Sequence, residues 1–184
     1  PGSIREEAKY PDDRSGPAAI DGTHTHSLLN WCLSQPDQMI GDPKSQIGYT
    51  MKDDDGEFII QGDRASRVQF ALDYIMRRKI EMEAIRVYSE ERVNPVSVFH
   101  RNDLAGTCDV IIMGESSLEI IDYKDGMGIV DAKGNAQMEQ YLIGFLSPFI
   151  GSGSPVPWKT IRMTIIQPKL RERGMEGISY HEIG

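Results

Sequence analysis

Residues 108–141 read CDVIIMGESSLEIIDYKDGMGIVDAKGNAQMEQY, and this stretch decides the fold. Its first half holds two runs rich in Val and Ile, residues 107–113 and 118–124, separated by the turn-like Gly114-Glu115-Ser116-Ser117. Branched side chains pack well on a pleated surface, so the pattern predicts a hairpin. With those four residues as the loop, Met113 faces Leu118, and counting outward sets Asp109 opposite Asp122, their Cβ atoms about 4.5–5.5 Å apart. Side chains alternate along a strand, so Asp122 and Lys124 share one face while Tyr123 points to the other. Facing carboxylates repel, and half-buried they either share a proton or hold a cation. A divalent metal is the economical reading, and an edge hairpin with its charges turned to water is the bland one. Ile111, Ile120 and Ile121 argue for a central hairpin.

Downstream, residues 125–128 (DGMG) predict a flexible loop and residues 136–146 a helix, on which Gln137 and Tyr141, four apart, share one face. A loop over 151–157 and closing strands over 159–167 and 177–182 follow. Upstream, residues 18–33 read as a helix with Asp21 or Thr23 as its cap and Leu28, Leu29 and Leu33 as its apolar face. His24 and His26 sit about 200° apart around that helix and cannot face one site; His24 is assigned to solvent. Residues 34–62 carry breakers at Pro36, Gly41, Pro43 and Gly48 and predict a loop with short structure. Its Asp53-Asp54-Asp55-Gly56 run lacks the spacing of a helix–loop–helix calcium site and reads as solvated. A second amphipathic helix covers 63–80, with Val68, Ala71, Leu72 and Ile75 at helical spacing, and a strand covers 84–92. Residues 99–105 lead into the hairpin, with Gly106 where a bulge or close approach would suit. The element order predicts an α/β fold, a central mixed sheet flanked by helices.

With 184 residues, 39% hydrophobic and 26% charged, the chain reads as a single globular domain. It has no 18-residue apolar run, and residues 1–14 read as a flexible polar leader opening on a tag remnant, Pro1-Gly2-Ser3. The only two cysteines, Cys32 and Cys108, are isolated, which points to no disulfide framework and a cytosolic compartment. A net charge of −8 argues against a generic nucleic-acid coat, whose affinity comes from Lys and Arg on phosphates. It does not exclude a nuclease, because a metal site concentrates carboxylates. Basic residues cluster at Arg77, Arg78, Lys79 and again at Lys169, Arg171, Arg173, as solvated surface or as DNA contacts.

An Asp on one strand, Asp-x-Lys on the next within IIDYK, then Gln137-x-x-x-Tyr141, resembles the RecB-like branch of the PD-(D/E)XK nuclease superfamily, which includes lambda-type exonucleases and CRISPR adaptation nucleases. The set DYKxGxGxV, GNxQxxxY and the later IIQPK (residues 165–169) is similar to a phage-encoded, RecB-like exonuclease family, over roughly residue 20 to the end with 34–62 poorly matched. The resemblance implies a restriction-endonuclease-like core and a Mg2+- or Mn2+-dependent DNA exonuclease of phage replication or recombination, with 5′ to 3′ polarity. It implies Asp109, Asp122, the Tyr123 carbonyl and His26, from the family's G-T-x-x-H pattern, as metal ligands. Lys124 becomes the catalytic cation, Gln137 and Tyr141 contacts to the substrate strand, and Glu90, in an E-x-R-V element, a further metal or water contact beside its plain reading as an exposed strand-end carboxylate. Some relatives hold an iron–sulfur cluster on four cysteines; two cannot supply that, so none is expected. Expected partners are DNA and either a second copy or a phage single-strand annealing protein, with no membrane, in the cytoplasm of a bacterial host. An endonuclease of the same fold and a catalytically idle DNA-binding or assembly module are the alternatives.

Overall fold

The computed structural model describes residues 16–36, 39–101 and 103–184; the leader assigned to residues 1–14 lies outside them. Helix α1 (Pro17–Leu33) and a 3-10 turn (Pro43–Gln46) are followed by a small hairpin, β1 (Thr50–Asp53) and β2 (Gly56–Ile59), then helix α2 (Gly62–Glu81). Strand β3 (Arg86–Val93), the short α3 (Val96–Phe99), β4 (Gly106–Met113) and β5 (Ser117–Tyr123) come next. Helix α4 (Ala136–Gly151), β6 (Thr160–Ile166), a second 3-10 turn (Pro168–Arg173) and β7 (Ile178–Ile183) complete the chain.

The main sheet runs β3-β4-β5-β6-β7, antiparallel throughout except for the parallel β5–β6 pair that α4 connects. A parallel pair needs such a crossover, and this one lays α4 on one face of the sheet. There Met138, Leu142 and Leu146 pack on Ile111, Leu118 and Ile120. The opposite face receives α1 and α2: Leu28, Leu29, Val68, Ala71, Leu72 and Ile75 bury against Val110, Ile112 and Ile121. Each of these side chains larger than alanine contributes about 1.5–3 kcal/mol by leaving water. The fold is therefore α/β, a mixed sheet between helices, as the element order predicts. The observed register, Met113↔Leu118 inward to Val110↔Ile121, is the one counted from the loop.

Four local expectations change. Residues 34–62 are a loop with short structure as expected, the 3-10 turn and the β1–β2 hairpin, but Asp53 in its turn is not solvated: its carboxylate is held by His24 and Ser27 and accepts from the Asp55 amide, an Asx turn. Helix α1 starts at Pro17 with Gly16 as its cap, so Asp21 and Thr23 lie inside it. Helix α4 runs beyond 146 to Gly151 through Pro148, and the packing of Phe145 and Phe149 on Trp158 offsets the hydrogen bond that the proline removes. His24 is buried, not solvent-facing: its ring stacks on Phe58 with centroids 4.1 Å apart and its Nδ1 lies 2.7 Å from Asp53 Oδ2. Among the described residues, no helix is long and apolar enough to cross a membrane.

Candidate active site

At one end of the sheet the ladders on both sides of β4 break at the same residue. Pairing of β3 with β4 skips Glu90 and Asp109, and pairing of β4 with β5 ends at Val110↔Ile121. Glu90 takes a left-handed backbone, φ 53°, uncommon for a residue with a side chain. In place of a main-chain acceptor, the Asp109 carboxylate accepts the Tyr123 amide at 2.6 Å. This is a strand distortion of the kind that re-aims side chains next to functional sites.

The break gathers acidic groups with a histidine from across the sheet. His26 on α1 brings its Nδ1 to 3.5 Å from Asp109 Oδ1. One ligand atom each of His26, Glu90 and Asp109 lie within 4.8 Å of one another. Glu90, on the sequence only an alternative between a metal contact and an exposed strand-end carboxylate, thus belongs to the tightest part of the cluster. Beside it, Asp122 is 3% exposed, and its Oδ2 has no hydrogen-bond partner although Lys124 Nζ stands 3.0 Å away. A buried carboxylate oxygen left in that condition is held by charge alone and is open to a cation.

Electrostatics agree with the geometry. Burial, then the charge of Asp109, raises the Asp122 pKa from 3.8 to about 6, with Lys124 pulling the other way. Glu90 is raised as well, by burial and Asp109. For His26, burial works to lower the pKa, but contact with Asp109 and the charges of Asp122 and Glu90 outweigh it and raise it. Negative charge is concentrated here beyond what Lys124 and His26 neutralise. Carboxylate oxygens with one imidazole form a donor set suited to Mn2+ or Mg2+, and these residues fit such an ion.

Lys124 shares the Asp122 face, as alternation requires, and donates to Gln137 Oε1 at 2.8 Å. Gln137 Nε2 then donates to the Tyr141 hydroxyl at 2.7 Å. The two helical residues thus extend a chain of polar contacts from Asp122 along α4. Gly106 makes the close approach expected of it: a Cβ there would stand 2.8 Å from Tyr141 Cε1. The Tyr123 side chain turns to the other face, where its hydroxyl donates to Asp125 Oδ1 at 3.0 Å, leaving only its main chain toward Asp109.

In each basic cluster one cation is drawn into a buried carboxylate contact, while Arg77, Arg171 and Arg173 stay on the surface. Arg78 Nε donates to the fully buried Glu119 at 2.6 Å, and Lys169 Nζ lies 2.9 Å from Asp21 and 3.1 Å from Asp125. Arg171 covers Phe70, and Arg173 donates to the Met127 carbonyl. Arg77 is an exposed partner of Tyr74 and Glu81. Their run-like spacing concealed carboxylates that reach them from distant elements. Sequence reasoning also missed Asp125, although alternation from Asp122 places it on the Tyr123 face.

No solved structure matches the chain. The family model for DUF2800, described as a protein of unknown function, matches residues 1–183, and the chain belongs to the DUF2800 family.

Proposed function

We propose that the protein is a metal-dependent deoxyribonuclease, an exonuclease of phage replication or recombination with a PD-(D/E)XK-like core. The single observation that carries the reading is the convergence of His26, Glu90 and Asp109, from α1, β3 and β4, beside the Asp122–Lys124 pair of β5. A helix, a strand and a hairpin from three separate parts of the sequence deliver ligands and a cation to one strained point, an arrangement that stability alone does not favour.

His26, Glu90, Asp109 and Asp122 would hold Mg2+ or Mn2+, with the Tyr123 main chain alongside. The chemistry such an ion supplies when bound is neutralisation of phosphate charge and activation of water. Lys124 does the rest at close range. Its ammonium has three donors, of which Gln137 engages one while Asp122 stands 3.0 Å away as an ion-pair partner, so donor capacity remains to meet a phosphoryl oxygen as charge develops in the transition state. Gln137 and Tyr141 hold that ammonium in place from α4 and line the approach of the strand.

The test is digestion of end-labelled linear DNA with Mg2+, Mn2+ or EDTA, beside covalently closed circular DNA. Metal-dependent loss of the end label with intact circles supports the exonuclease. Cutting of closed circles makes it an endonuclease, and no digestion in either metal overturns the enzyme reading.

A further inference from the structure

Just past the end of β5 the chain carries a second polar centre. Opposite Asp122 and Lys124, the Asp125 side chain is 2% exposed, with Arg67 Nε 3.0 Å from it and Lys169 Nζ 3.1 Å away. The Tyr123 hydroxyl donates to the same carboxylate at 3.0 Å, and the Thr25 hydroxyl lies 3.2 Å from it. Arg67 is the hub. Its Nη1 donates to Asp63 at 2.8 Å, and its Nη2 donates to Asp21 at 3.0 Å and to Thr25 at 3.3 Å. Asp21 in turn receives Arg64 at 2.7 Å and Lys169 at 2.9 Å.

Arg64, Arg67 and Lys169 thus face Asp21, Asp63 and Asp125 in a network buried at Arg67 and Asp125 and open to water at Asp63. Replacing such a network by apolar side chains is often neutral or stabilising, so folding free energy gives no reason for it. Position does. Thr25 and Asp21 lie on α1 beside His26, and Tyr123 donates its amide to Asp109 while its ring meets that of His26 edge-on at 5.2 Å. The network therefore grips both sides of the His26–Asp109 contact, α1 through Asp21 and Thr25, β5 through Tyr123 and Asp125.

We propose that Arg67 is a positioning residue which, through Asp125–Tyr123 on one side and Asp21–Thr25 on the other, sets His26 against Asp109 for metal capture. The inference rests on the metal-centre reading above. Groups behind a ligand orient it, and their loss typically weakens metal binding about 10–100-fold.

The experiment is a double-mutant cycle read by Mn2+ binding to the full chain, followed by the loss of the free-ion signal in electron paramagnetic resonance. Arg67→Met should weaken Mn2+ binding about 10–100-fold in the parent. In a His26→Ala background it should change binding by no more than about twofold, the tolerance for independent sites. An equal loss in both backgrounds, or no loss in the parent, overturns the proposal and makes the network purely structural. Should Arg67→Met fail to fold by circular dichroism, Tyr123→Phe decides in its place. That change removes only the hydroxyl bonded to Asp125 and keeps the ring and the amide, and its effect must likewise vanish with His26. If the parent binds no Mn2+, the metal-centre reading falls and takes this one with it; if it binds while the cycle shows no coupling, only the positioning role falls.

Discussion

Asp122 is the residue at which structure and chemistry are most at odds. Its folded pKa, raised from 3.8 to about 6, lies above its unfolded one, so the native metal-free protein holds the proton more tightly than the unfolded chain does. The stabilisation this brings is complete below pH 3.8 and is lost as the pH rises through about 6. Two pK units correspond to about 3 kcal/mol. In EDTA, urea unfolding of the parent should show stability falling by an amount of that order between pH 4 and 7, and Asp122→Asn should flatten much of the fall. An unchanged pH profile in the variant would show that the carboxylate titrates normally. On the proposed nuclease reading, Asp109→Ala and Asp122→Ala should each abolish metal-dependent DNA cleavage while the circular dichroism spectrum is retained. Lys124→Ala should leave Mn2+ affinity nearly unaltered and lower single-turnover rates about 10²–10³-fold, the usual loss for one group that stabilises transition-state charge. Near-parental rates with poor DNA binding would make the lysine a phosphate anchor instead.

At the scale of elements, one strand serves two masters. Strand β5 presents Leu118 and Ile120 to α4 and Ile121 and Tyr123 to α1 and α2, so it is apolar on both faces, as a central strand must be. The exceptions are Glu119 and Asp122. Glu119 is fully buried on the α2 side, where the Tyr74 hydroxyl at 2.6 Å, Arg78 at 2.6 Å and Thr164 at 2.7 Å satisfy it. This group ties α2 to β5 and β6. Removing the cation leaves a charge stranded in the core, so Arg78→Met should cost about 3–5 kcal/mol, whereas Arg78→Met combined with Glu119→Leu should recover much of it. Equilibrium urea unfolding measures both, and a small loss in the single variant would mean that water reaches Glu119. Asp122, by contrast, has no comparable set of donors, and that asymmetry between two acids of one strand separates the structural carboxylate from the candidate ligand.

For the molecule as a whole, charge sets the terms of any encounter with DNA. The chain carries −8, and Arg64, Arg67, Arg78, Arg162 and Lys169 are all engaged by carboxylates of the protein itself. That net charge opposes a polyanion, so DNA affinity should depend on the divalent ion. A fluorescence titration should detect binding in Ca2+ and little in EDTA, with a salt dependence shallower than the slope of about −5 that six phosphate contacts produce. Tight, steeply salt-dependent binding in EDTA would reveal a basic surface elsewhere and favour a DNA-binding module over a nuclease.

The order of helices and strands, the β4–β5 register and the shared face of Asp122 and Lys124 follow from local rules: branched residues favour strands, side chains alternate, and a short loop fixes the pairing. Those rules operate within a few residues and can be read along the chain. The β1–β2 hairpin escaped them because its strands are short and its Asp53 is held by His24 and Ser27 rather than by water. The last turn of α4, beyond 146 and through Pro148, also lay outside the helix read along the chain, and its Phe149 packs with Phe145 on Trp158. The arrival of His26 and Glu90 at Asp109, the left-handed turn of Glu90, and the capture of Lys169 by Asp21 across nearly the whole chain were decided only by tertiary structure. Each depends on how helices lie against the sheet and on which buried charges find partners, and these are properties of packing in three dimensions that no local pattern encodes.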